Sequence, residues 1–196
     1  MVLYTQCQNF FIYYFEGSTK LGIYSVALTM ATGIGVLINA LVTSCYASIY
    51  SEFDEKRAAE KAGMLLRWVA VISLSASIIL MAVGEKIILK LYGAEFISAH
   101  EPMIILSFAS VLSFMGSVTY RYIMHYSGFF YLSIKTVLSL LLSILLTGPM
   151  VKHYGIIGAA WAVVIVEFLS LTVMSYFFKR KSVLNMHLLA IKGDKK

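Results

Sequence analysis

Three ionisable residues stand within or at the edges of long apolar stretches: Arg121, Lys135 and Glu167. From Gly155 to Phe178 the chain carries no charge other than Glu167. If that run crosses a bilayer, the carboxylate lies about halfway through it. Ionisable groups at such depth are rare, usually face the bundle interior, and mark transport paths or proton relays. Ala160, Val163, Glu167 and Ser170 share one helix face, so the nearest turns offer only Ser170 as a polar neighbour and no cation. The bland alternative is a protonated glutamate bonded to a serine or a backbone carbonyl.

Lys135 opens a second pattern, Lys135, Ser139, Ser143 and Thr147, all four residues apart and therefore on one face. It either begins a polar face or, being near a segment end, snorkels to the interface. Arg121 sits between Tyr120 and Tyr122, as an anchor in an aromatic belt or as the lining of a cavity. Arg121 and Lys135 flank the same short turn and could face one vestibule, an arrangement that suits a phosphate-bearing substrate. Two stripes of small residues accompany them: Ala27, Ala31, Gly35, Asn39 and Thr43, and Ser107, Ser110, Ser113 and Gly116. Small residues let helices approach closely, and serines can bond back to their own backbone, so packing alone explains such stripes.

The elements that must position these residues are membrane spans. The chain of 196 residues is 60% hydrophobic and 13% charged, with a mean hydropathy of +0.82. Soluble domains are about 25% charged, and a soluble fold of this size could not hide so much apolar surface. The fold class is all-α integral membrane. A bilayer core needs about 20 helical residues, which gives five clear spans at 21–48, 65–91, 102–124, 130–150 and 155–178. A partial one, 1–15, reads as the second half of a helix and not as a cleavable signal. Gly17-Ser18 and Gly128 break the apolar runs, Pro102 suits a first helical turn, and Pro149 is expected to end the fourth full span. Ser51–Lys61 reads as a short interfacial helix or helical loop with Glu52 and Lys56 paired. Residues 1–181 are then one helical transmembrane unit and 182–196 a basic cytoplasmic tail.

Twelve of the sixteen Lys and Arg residues fall on one side of this alternation; Lys20, Lys86, Lys90 and Lys152 fall on the other. The positive-inside bias places the C-terminus in the cytoplasm. The formal charge of +6 is therefore a topology signal, and no nucleic-acid partner is expected. Cys7 and Cys45 lack metal-ligand or redox spacing, and His100, His125, His153 and His187 form no ligand motif. No catalytic, metal or cofactor site is expected, and an enzyme is not the reading.

"LGIYSVALTMATG" (21–33), "LYGAEFISAHEPMIIL" (91–106) and "KHYGIIGAAWAVVIVEF" (152–168) together resemble the C-terminal half of O-antigen and polysaccharide-repeat flippases. These belong to the multidrug/oligosaccharidyl-lipid/polysaccharide exporter superfamily. The resemblance rests on Gly22-x-Tyr24-x-x-Ala27, on Leu91-Tyr92-Gly93 with Pro102 beyond, and on Tyr154-Gly155-x-x-Gly158-Ala159-Ala160. Near "TSCYASIYSEF" (43–53) the chain departs, with Ala47 where a proline is common before the serine. The resemblance implies one six-helix lobe of a twelve-helix transporter, partnered by a missing N-terminal lobe or a second chain. It implies a bacterial inner-membrane protein that moves an oligosaccharide linked to undecaprenyl pyrophosphate. Arg121 and Lys135 would meet the pyrophosphate, while Glu167 would couple an ion or bond sugar hydroxyls. A drug or cation antiporter of the same superfamily, or a nonfunctional remnant, is the alternative.

Overall fold

The computed structural model describes residues 2–52, 54–178 and 180–192, with side chains over 6–52, 54–178 and 181–191. The described elements are helical: α1 (Val2–Thr32), α2 (Gly35–Tyr50), α3 (Glu55–Leu91), a 3-10 turn (Ala94–Ala99), α4 (His100–His125), α5 (Phe129–Leu169), a π-helical turn (Ser170–Met174) and α6 (Arg180–Lys192). Four helical runs among them, Gln6–Tyr50, Glu55–Leu91, Ala94–His125 and Phe129–Met174, are long and apolar enough to cross a membrane. Helices satisfy every backbone polar group internally, which a hydrocarbon solvent demands. α3 shows the pattern. Its buried stripe includes Ala62, Leu66, Val69, Ser73, Ser77 and Ile88, while Trp68, Ile78, Ile79 and Met81 face outward.

Two of these runs are not straight. Gly17 (φ 82°, ψ −180°) interrupts α1 and Gly155 (φ 59°, ψ −143°) interrupts α5. A side chain is strained at such positive φ, so glycine is the residue that can make either break. At Gly155 the chain doubles back. A methyl group at Gly158 would fall onto the Met150 carbonyl, whereas residues eight apart in a straight helix are about 12 Å apart.

Side-chain contacts fix the helix directions. Gln8 Nε2 donates to Ser143 Oγ (3.2 Å), Phe11 lies 3.2 Å from where a methyl on Gly148 would be, and Glu16 meets Gly155 in the same way. The start of α1 and the start of α5 therefore run parallel. Gly35 faces Phe114, Arg121 reaches Thr43 and Tyr50 packs on His125, so α2 and α4 also run parallel. Ser77 donates to the Ser107 carbonyl (3.1 Å) and Gly84 abuts Met103, so α3 and α4 are antiparallel. Lys20, Glu85, His100, Glu101 and Ile156 consequently meet around one open cleft at one end of the bundle. Tyr46, Tyr50, His125 and Tyr126 gather at the other, where Tyr131 bonds the Met174 carbonyl.

The core divides along the bundle. One apolar cluster joins Ile12, Tyr24, Ile88, Met103, Leu106 and Ala159. The other joins Ile38, Val42, Leu66, Val118, Tyr122 and Met186. Buried serines also lie inside the bundle. Ser73, Ser77 and Ser110 bond their own helix backbones, and Ser77 also reaches across to the Ser107 carbonyl. That part of the serine pattern is packing.

Three expectations are corrected. Pro149 does not end a helix; α5 continues through it to the break at Gly155. Its fixed φ is already helical, and the helix accommodates both the lost backbone hydrogen bond and the ring. Ser51–Lys61 is not a separate interfacial helix. Asp54 caps α3 by accepting from Lys56 N (2.9 Å), and the segment from Glu55 onward is the first turns of α3. Glu52 bonds Lys61 (2.8 Å), not Lys56, and this contact holds its carboxyl below the usual range. The segment read as a tail contains α6, with Val183 and Met186 buried. Residues 193–196, including Lys195 and Lys196, and the side chains of Lys179, Arg180 and Lys192 lie outside the described residues.

Candidate functional site

Arg121, Lys135 and Glu167 line one cavity of about 550 Å³. Its walls also carry Asn39 and Tyr46 from α2, Ser117 and Tyr120 from α4, Thr136 and Ser139 from α5, and Ser170. The gathering follows from helix register. The Ala27-to-Thr43 stripe is buried at Ala27 and Ala31 and then emerges at Asn39 on the cavity wall. The Ser107-to-Gly116 stripe likewise begins buried and ends on the wall at Gly116. The face of Ala160, Val163, Glu167 and Ser170 points inward: Ala160 is fully buried, and Glu167 and Ser170 line the cavity.

Lys135 does not extend outward. It is 6% exposed, and its Nζ donates to Ser175 Oγ (2.9 Å), which in turn donates to the Ser170 carbonyl (2.8 Å). That last bond bridges five residues and accompanies the π-helical turn at Ser170–Met174. Turns of this kind are rare and recur at functional sites. Its neighbours Ser139, Ser143 and Thr147 are buried too, so the polar face of α5 points into the bundle over its full length. The Glu167 carboxylate acts electrostatically on Lys135. The glutamate therefore feels a cation from the other arm of α5, before the Gly155 break, which the turns next to it could not offer.

Arg121 differs. Its guanidinium donates to Thr43 Oγ1 (3.2 Å) and lies 5.4 Å from the centre of the Tyr46 ring, while Tyr46 donates to the Arg121 carbonyl (3.2 Å). Among the described residues it makes no salt bridge with a carboxylate. The cavity thus holds Lys135 and Glu167, which act on each other electrostatically, and a guanidinium braced by neutral groups. Such a guanidinium can bind an anionic oxygen through paired donors. The surrounding hydroxyls, amide and phenol rings suit a polyhydroxylated partner.

Two contributors, Ser175 and Tyr46, were not singled out in the sequence, nor was the contact that His187 makes beside the site. The signal for Ser175 was its place eight residues after Glu167, on the face of that carboxylate. His187, on α6, contacts Thr119 Oγ1 (3.1 Å) through Nε2 and Tyr176 OH (3.0 Å) through Nδ1, so α6 is tied to α4 and to the residues just after the π-helical turn. Burial first, and Lys135 second, hold the His187 pKa below the usual histidine value. Docked α6 therefore prefers neutral histidine. Its attachment is strongest above the ordinary pKa of about 6.5 and weakens as the pH falls toward the lowered value. Protection of the amides over 183–191, taken relative to their intrinsic exchange rate at each pH, should fall between pH ~7.5 and pH ~5, and His187→Gln should flatten that dependence.

This fold and cavity define an α-helical, multi-pass membrane protein. A family model described as polysaccharide biosynthesis protein matches residues 1–101, over half of the chain, and the chain belongs to that family. No curated protein and no solved structure matches it. The matched segment supplies Asn39 and Tyr46 to the cavity, whereas Arg121, Lys135 and Glu167 lie beyond it.

Proposed function

We propose that the chain moves a lipid-linked oligosaccharide, a polysaccharide repeat unit on undecaprenyl pyrophosphate, across the bacterial inner membrane. The convergence of Arg121, Lys135 and Glu167 in one cavity carries this reading. Arg121, with no acidic partner among the described residues, receives the pyrophosphate at the cavity wall. Lys135 adds a second positive charge deeper in. Glu167 and the hydroxyls of Ser139 and Ser170 accept and donate hydrogen bonds to sugar, or Glu167 carries the coupled ion.

In this reading the breaks at Gly17 and Gly155 are membrane turns, giving five full crossings and a shorter first one. The parallel register of the first and fifth crossings supports that alternation. Lys20 lies in a cleft with Glu85, His100 and Glu101 at the end poorer in basic residues, which supports a cytoplasmic C-terminus. The unit acts with a second lobe, supplied by the rest of a longer chain or by a partner chain. Parallel lobes related by an axis along the membrane normal are a known transporter plan.

The test is surface polysaccharide in cells carrying Arg121→Ala, Lys135→Ala or Glu167→Gln in the gene, at matched protein levels. Loss of polymer with retention of the lipid-linked repeat supports the proposal. Full polymer in all three variants removes these residues from the reaction, and resistance to cationic drugs would then be the phenotype to measure.

A further inference from the structure

We propose that the outer face of α6 docks on the headgroup layer of an anionic lipid leaflet. Three faces of this helix can be told apart. Val183, Met186, His187 and Ala190, spaced i, i+3, i+4 and i+7, turn to the bundle, with Val183 and Met186 buried and His187 held by Thr119 and Tyr176. Contact is close because Gly63 of α3 has no side chain. A methyl group there would lie 3.0 Å from the Met186 carbonyl and 3.2 Å from Leu189 Cβ. Leu184, Leu188 and Ile191, spaced i, i+4 and i+7, form a different face and are 39%, 42% and 80% exposed. Lys181 and Asn185 occupy a third, polar side and are also exposed.

A helix on the end of a water-facing bundle would place polar residues where Leu184, Leu188 and Ile191 stand. A helix at the rim of a membrane bundle has protein on one side, lipid on the next and water on the third, and these three faces match that order. Charge selects the lipid. Residues 179–196 contain Lys179, Arg180, Lys181, Lys192, Lys195 and Lys196 against one acid, Asp194. Amphipathic helices with basic flanks lie in the interface, and each basic residue near an anionic surface strengthens binding by about fivefold. Leu184, Leu188 and Ile191 are different side chains from those that hold α6 to the bundle, with Ile191 one turn beyond His187 at the border of the two faces, so lipid docking and attachment to the bundle can act together. The proposal needs only a membrane location and does not depend on what the cavity carries.

The experiment uses the full chain in nanodiscs of phosphatidylcholine with or without phosphatidylglycerol, reading amide exchange over 183–191. Exchange should be about tenfold slower with phosphatidylglycerol. Lys181→Gln should reduce that gain, and Leu184→Ser/Leu188→Ser/Ile191→Ser together should remove it while α3 and α4 keep their protection. Equal exchange of the unmodified chain in both lipids overturns the proposal, whether or not the triple variant folds. Protection that follows the number of chains per disc and ignores lipid charge also overturns it, identifying a second copy as the occupant.

Discussion

Gly158→Ala is expected to unfold the α5 hairpin and with it much of the bundle. The added methyl would meet the Met150 carbonyl and lie 3.0 Å from Tyr154 Cβ, both on the chain just before the Gly155 break. Neither obstacle is a flexible side-chain tip. The backbone of the break must move, and Gly155 is already committed to φ 59° with the Glu16 carboxylate 3.2 Å from where a methyl would sit. Overpacking in a well-packed core costs about 1–3 kcal/mol, occasionally more, and a backbone obstruction belongs at or above the upper figure. Thermal unfolding in detergent should show a much lower midpoint, or no folded protein at all. Gly22→Ala is the control. Nothing lies within 4 Å of the position its methyl would take, so it should be neutral or stabilising by up to about 1 kcal/mol, the helix preference of alanine over glycine. Equal midpoints for the two variants would contradict the hairpin.

Arg121→Ala is expected to produce the largest functional loss without a loss of folding. Its guanidinium is partly exposed and rests on neutral groups, Thr43 Oγ1 and the Tyr46 ring, so removing it strands no buried counter-charge. Hydrogen bonds to charged groups contribute about 1.5–3 kcal/mol, so delivery of repeat units should fall about tenfold to hundredfold. Arg121→Lys should fall between, because an ammonium keeps the charge but loses the paired donors that match a phosphate. Lys135→Ala is a less clean variant. It removes the hydrogen bond to Ser175 and the positive charge acting on buried Glu167, so folding and transport change together. Alanine and lysine at 121 both transporting as arginine does would show that the guanidinium meets no substrate.

The helical membrane class and most breaks were legible in the sequence because they depend on local physics. Apolar runs of span length persist whatever surrounds them, and Gly17, Gly128 and Pro102 act where they stand. What failed was also local in form but tertiary in cause. Pro149 resembles a stop, yet it is accommodated inside α5, and the turn comes at Gly155, where Glu16 of another helix packs. Glu52 and Lys56 have helical spacing, but Asp54 caps the helix between them. α6 was missed because its apolar residues are divided between two faces, which blurs a single amphipathic stripe.

The site was legible as three residues, two of them expected at one vestibule, and not as one cavity holding all three. Charge within an apolar run singled out Arg121, Lys135 and Glu167. Arg121 and Lys135 flank one short turn and share the cavity as that turn suggests, but the place of Glu167 in it depends on how α5 folds back beyond Gly155, and no spacing in the sequence encodes that register. The same fold-back sets Glu167 in the electrostatic reach of Lys135, on the other arm of α5, and places Ser175 against the Lys135 ammonium. The Arg121 contact with Thr43 joins residues 78 positions apart.

A cavity that holds the phosphate and sugar of a lipid-linked oligosaccharide is shielded when that lipid is bound. Ser139 lies on its wall beside Lys135. In a chain with Cys7 and Cys45 changed to alanine, Ser139→Cys would be labelled with a small thiol reagent in nanodiscs, with and without an isoprenyl-pyrophosphate-linked oligosaccharide. Labelling should slow saturably with that lipid, be unaffected by the uncharged isoprenol, and lose its protection when Arg121→Ala is added. A reactive cysteine whose labelling rate ignores the lipid-linked oligosaccharide at every concentration would contradict the account.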